Sequence, residues 1–184
     1  DVCSADLLIE AAWPRHRHPE LAESYLDLRS GDSNADRLGK AQTLAKLAPH
    51  DPESHMIVAR AALAARDYAA ARKAMAPLIA EAERPSVRAC LIMAELEDAQ
   101  FGDQGQVREW LARSARAPRD PTWMADGVAA KRWAPVSPVT GRLDAFVWQR
   151  PAERLGADLD APEWTKHWAL PTRPAEPEAE TPVV

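Results

Sequence analysis

The fold turns on Asp51–Arg84, DPESHMIVARAALAARDYAAARKAMAPLIAEAER. It reads as two helices folded back on each other, Glu53–Arg66 and Tyr68–Glu83, with the turn at Asp67. Pro52 opens the first helix, where its missing N–H costs nothing, and Asp51 stands before it as an N-cap. Val58, Ala62 and Ala65 share one face, with Ala59 and Leu63 beside them; Ala71, Met75 and Leu78 continue it on the second helix. Alanines along the seam let the helix axes approach closely. A pair of this size cannot bury its apolar faces alone and needs neighbours.

The neighbours follow from the prolines. Pro19, Pro52, Pro85 and Pro118 recur every 33 residues. Equal spacing of a helix-opening residue marks a helix–turn–helix repeat. Leu21–Arg29 with Asp36–Ala48, and Ser86–Phe101 with Gln106–Ala117, read as the flanking pairs, joined by turns at 31–34 and 102–105. Asp6–Trp13 reads as the second helix of a pair whose first helix is missing, so the chain is expected to begin inside a larger array. An irregular helical bundle with coincidental prolines is the alternative. Periodicity and junction chemistry agree on the repeat.

The central unit resembles the tetratricopeptide repeat, through Asp67-Tyr68 at the turn, Ala71 at the small position, Met75 and Leu78 after it, and the junction Leu47–Ser54. It departs from that pattern at His55, Ala59 and Ala62, where an aromatic, a glycine and a tyrosine are usual. The resemblance implies an all-α, right-handed superhelix of tetratricopeptide-like pairs, an α-α solenoid, over 1–119.

Composition bounds the function. Net charge is −5, with no long basic run, which argues against nucleic acid as a partner. Cys3 and Cys90 stand far apart without a CxxC motif; Cys90, beside Leu91 and Met93, reads as a buried thiol, and a reducing compartment is favoured. No signal peptide or 18-residue apolar run is present. His16 and His18, in the basic connector Trp13–Pro19, lack the third and fourth ligands that zinc needs and read as a solvated linker. Arg108, Arg113, Arg116 and Arg119 form a basic strip, read as a solvated helix face; an acidic peptide or lipid headgroup is the alternative.

At Asp120 the helical pattern ends. Residues 120–151 read as a Trp/Pro-rich, β-hairpin-type cap, with a turn at Val139–Arg142 and a strand at Leu143–Trp148. Trp123, Trp133 and Trp148 imply a miniature core, and the module is expected to seal the end of the stack. Ser137-Pro138-Val139-Thr140-Gly141 has the outline of a zinc-ribbon knuckle with both sulfurs replaced by hydroxyls, and Ala125 and Val128 stand at the spacing of a first C-x2-C. A metal-free ribbon and an irregular proline-rich cap are both open; neither supplies zinc ligands. Residues 152–170 suggest one short helix with Trp164 and Trp168 on one face, which should dock on a groove or on the cap. Residues 171–184 read as an acidic, proline-rich disordered tail.

The stretches DPTWMADG (120–127) and RWAPVSPVTGRLDAFVW (132–148), with helical segments upstream, resemble alphaproteobacterial HemY-like proteins over roughly Leu7 to Pro151. That resemblance implies an inner-membrane protein associated with haem biosynthesis, a missing N-terminal membrane anchor, and this region on the cytoplasmic face. It carries over no catalytic residue.

The expected function is a non-enzymatic scaffold that binds a protein or peptide partner, with haem-pathway enzymes or inner-membrane proteins as implied clients and no cofactor. The repeat register places His55, Val58, Ala59 and Ala62 in a peptide groove on the central unit, and Leu91, Ala94, Glu95 and Asp98 on the next. A haem or porphyrin carrier, with His55 as axial ligand, is the alternative. Catalysis has only Ser137, Thr140 and Asp144 to draw on, with no histidine base near in sequence, no phosphate loop and no nucleophile elbow.

Overall fold

A computed structural model describes residues 4–80 and 84–151. The expected helix within 152–170, with Trp164 and Trp168, and the expected tail over 171–184 lie outside these residues. The described chain is mostly helical with a small sheet, so the all-α expectation is corrected. The order is α1 (Ser4–Ala12), α2 (Pro19–Asp27), α3 (Asn34–Lys46), α4 (Pro52–Ala64), α5 (Tyr68–Ile79), α6 (Val87–Phe101), α7 (Gln104–Ser114), β1 (Thr122–Ala125), β2 (Val128–Ala130) and β3 (Val147–Gln149).

Local chemistry sets the helix starts. Asp51 accepts from the Glu53 amide at 2.9 Å, and Asp67 from the Ala70 amide at 2.9 Å. Pro19 and Pro52 occupy first-turn positions. Ser33 and Asp36 close a reciprocal capping box at the start of α3. Gly102 ends α6 at φ 64°, a left-handed conformation in which glycine has no Cβ to clash, and its amide bonds back to Glu97 and Asp98. The expected run of α5 to Glu83 is corrected: the helix stops at Ile79 and Ala80 is extended. Pro77 already lacks an N–H in the last turn.

Consecutive helices from α1 to α7 pack on each other, and α4 also touches α2 and α6. One apolar core runs through them. Ala41, Ala59, Ala62 and Ala71 are fully buried along the seams, and Trp13, Leu44, Met75, Ile92 and Leu96 fill the layers between. Burying each of those large side chains stabilises the fold by about 1.5–3 kcal/mol before entropy is counted. The Trp13 indole donates to Ser54 Oγ at 3.3 Å, which ties the end of α1 to α4. Arg88 on α6 meets the buried Glu53 carboxylate of α4 with both guanidinium arms.

The cap is a three-stranded antiparallel sheet in the order β2-β1-β3. Asp126 and Gly127, at φ 49° and 82°, make the two-residue turn between β1 and β2. Two positive φ values are what a tight hairpin needs to match strand twist. The strand expected over Leu143–Trp148 is shorter and later, Val147–Gln149, with an isolated bridge between Val136 and Leu143 before it. Trp123, Ala125 and Phe146 form a second small core, with Trp148 packed against it. The three-tryptophan core is corrected, because Trp133 is 46% exposed.

The cap packs where α2 begins. The Trp123 indole donates to Glu20 at 3.2 Å, and its ring meets the His18 imidazole edge-on at 5.0 Å. Asp120 accepts from Ser86 Oγ and from the Arg88 amide at the start of α6. The cap thus lies against the starts of α2 and α6.

Candidate functional site

The face of α4 that carries His55 and Val58 lies between α3 and α5 and forms the floor of a groove of about 410 Å³. The floor is shallow because the residues around it are small: Ala45 on α3, Ala70 and Ala74 on α5. Lys46 and Lys73 stand on its two sides, both exposed, and no carboxylate lines it. Burial pushes the His55 imidazole below its ordinary range; nearby Asp51 opposes this and His50 adds to it. A neutral imidazole between two ammonium groups can donate one hydrogen bond and accept another. The groove can therefore hold an apolar strip flanked by negative charge.

Only His55 and Val58 of the expected groove residues line this space. Ala59 and Ala62 have no exposed surface and belong to the core. Ala94 is also buried, whereas Leu91, Glu95 and Asp98 are exposed along α6. Asp98 accepts from the Gln104 side chain at 2.8 Å. Of the expected residues on α6, none lines this groove. Lys46 and Lys73 went unread, since only the packing of α3 and α5 over α4 makes them its walls.

A larger cleft, about 870 Å³, opens between the connector before α2, the starts of α4 and α6, and the cap. Arg15, Arg84 and Arg150 line it together with Trp123, Trp133 and Trp148. The solvated-linker reading of the connector is corrected at His18. That ring is partly buried, accepts from the Leu21 amide through Nδ1 at 3.3 Å, and packs on Trp123 and Trp148. Burial holds its imidazole below the ordinary value, with Glu20 opposing and His16 adding.

The clustered polar residues of the cap are bonded to each other. Ser137, 2% exposed, and Thr140 each donate a hydroxyl to the same Asp126 oxygen at 2.6 Å. These two bonds, Ser137 first, hold the Asp126 carboxyl below its ordinary value. One carboxylate so joins the Asp126-Gly127 turn to the Ser137–Gly141 segment that has the outline of a knuckle. Cys90 is buried, and that burial pushes its thiol up, away from reactivity. Among the described residues, no group of three or more His, Cys, Asp or Glu comes together in a metal-binding arrangement. No described helix is long and apolar enough to cross a membrane.

No family model matches the chain, and no solved structure matches it. Over 149 residues it is 26% identical to the probable magnetosome protein Mms48 of Magnetospirillum gryphiswaldense. The match covers 79% of this chain and 33% of that protein, so the chain spans about a third of its relative. The assignment to HemY-like proteins is corrected by this similarity. The haem-biosynthesis setting and the tetratricopeptide assignment fall with it. Proline spacing and small residues at helix seams are general requirements of stacked helix pairs and do not single out one family.

Proposed function

We propose that this chain is a non-catalytic protein-binding scaffold. Its helices act as a stacked array of antiparallel pairs, and the groove over α4 takes one segment of a partner. The observation that carries this reading is the groove's composition: a largely apolar floor with one imidazole, two flanking lysines and no acid. A segment with an apolar edge and carboxylates on either side fits that surface. The cap, in this reading, is a ribbon whose metal has been replaced by the hydrogen bonds of Asp126 to Ser137 and Thr140. The similarity to a probable magnetosome protein makes magnetosome proteins the first place to look for the partner.

The test compares capture of partners by the full chain and by its Val58→Arg variant from a lysate of the source organism. Val58 is only partly exposed, so retained helical circular dichroism must accompany the comparison. A partner retained by the native chain and lost at least about tenfold by the variant supports the groove. An identical set of captured proteins removes it.

A further inference from the structure

The cleft beside the cap is charged in a way its own ion pairs do not use up. Asp51 is engaged by Arg17 at 2.6 Å, Glu53 by Arg88, and Asp120 by Ser86 and the Arg88 amide. Among the described residues, Arg15, Arg84 and Arg150 form no ion pair; of the acids lining the cleft, Asp120, bonded only to neutral donors, and Asp144 also lack a cationic partner. In a chain of net charge −5, this recess thus gathers three arginines without an acidic partner against two such carboxylates. An arginine without an acidic partner can take a carboxylate of a bound segment through paired N–H donors.

The sheet supplies the second observation. β3 is an edge strand, paired with β1 on one side only among the described residues. Successive strand side chains point to opposite faces. Val147 and Trp148 nevertheless both line the cleft, so the cleft meets β3 along its edge. An unpaired strand edge offers backbone donors and acceptors to an extended chain. Trp133, half-exposed in the same cleft, offers an indole surface for an apolar side chain.

We propose that this cleft is a second binding site, distinct from the groove over α4, and that its occupant is an extended acidic segment of a partner protein. The segment lies along β3, with carboxylates at Arg15, Arg84 and Arg150 and an apolar side chain on Trp133. Single-stranded nucleic acid would also meet arginine and tryptophan. It has no peptide backbone to pair with a strand edge, and the rings of Trp123 and Trp148 already pack on each other and on His18.

The experiment measures fluorescence anisotropy of the full chain with three labelled probes. These are a heptapeptide alternating glutamate and valine, the same peptide with lysine for glutamate, and a ten-residue oligothymidylate. The glutamate peptide binds, and binds more weakly as salt rises. The double variant Arg15→Glu/Arg150→Glu, with native circular dichroism, weakens it at least about tenfold, and Trp133→Ala by about threefold or more. Equal binding of the lysine peptide, tighter binding of the oligonucleotide, no binding of any probe, or unchanged affinity in the variants each overturns the proposal. Val58→Arg leaves this affinity unchanged. If it abolishes binding instead, the peptide sits over α4, which overturns this site and leaves the groove reading intact.

Discussion

The helical region and the cap solve the same problem with different means. The helices share one core that runs from Trp13 to Trp110, built from alanine seams and large residues between them. Each helix is held by its sequence neighbours, so contacts are mostly local. The cap has three buried apolar residues, Trp123, Ala125 and Phe146. It makes up the difference with polar links: Asp126 to Ser137 and Thr140, and Trp123 to Glu20, 103 residues away.

The largest break in that comparison is Arg88→Ala. Glu53 is buried, and that burial already raises its carboxyl above the ordinary value despite the opposing guanidinium of Arg88. Removing the cation leaves a buried charge unpaired between α4 and α6, which costs about 4 kcal/mol. The urea midpoint followed by helical circular dichroism should fall accordingly. The paired change Arg88→Met/Glu53→Met should recover most of the loss, because both charges then leave the interior. No recovery would mean that the arginine acts mainly through packing.

Trp123→Ala is next, at about 3 kcal/mol, and it should act locally. Amides of β1 to β3 should lose exchange protection while the helical midpoint moves much less. Equal loss in both regions would show that cap and helices unfold as one unit.

The smallest effect is pH-dependent and sits where the two regions meet. The folded pKa of His18 lies below its unfolded value near 6.5. The folded state therefore holds fewer protons on this residue than the unfolded state does. Its contribution is fully present above the unfolded value and is lost as pH falls toward the folded one. Protonation also removes the acceptor that caps α2. Tryptophan fluorescence of the cap should change on acidification below about pH 6.5. His18→Asn, which can still cap but cannot titrate, should flatten that change. An unaltered profile would assign it to another group.

Much of the helical region is readable without coordinates. Asp51 caps α4 as expected, Asp67 stands at the expected turn and caps α5, and Pro19 and Pro52 sit in first turns, because capping and proline geometry depend on a few adjacent residues. The β1–β2 hairpin differs from the expected turn at Val139–Arg142: Asp126-Gly127 is a strong two-residue turn signal, but the flanking TWMA and VAA segments are too short to show a strand period. The groove was less accessible. Helical periodicity places His55, Val58, Ala59 and Ala62 near one another on α4, but it does not say which neighbouring helix covers which of them. The structure buries the two alanines and leaves His55 and Val58 under the open edge between α3 and α5.

By itself the sequence determined where α2, α4 and α5 begin, where the helical pattern stops, and that alanine would line the seams. Those outcomes rest on backbone geometry and side-chain volume within a few residues. Only the tertiary structure decided that the cap lies at the start of α2, that Lys46 and Lys73 flank a groove, and that Arg15, Arg84 and Arg150 surround one cleft. These residues are distant along the chain, and charge or exposure becomes a property of a site only when packing brings such residues together.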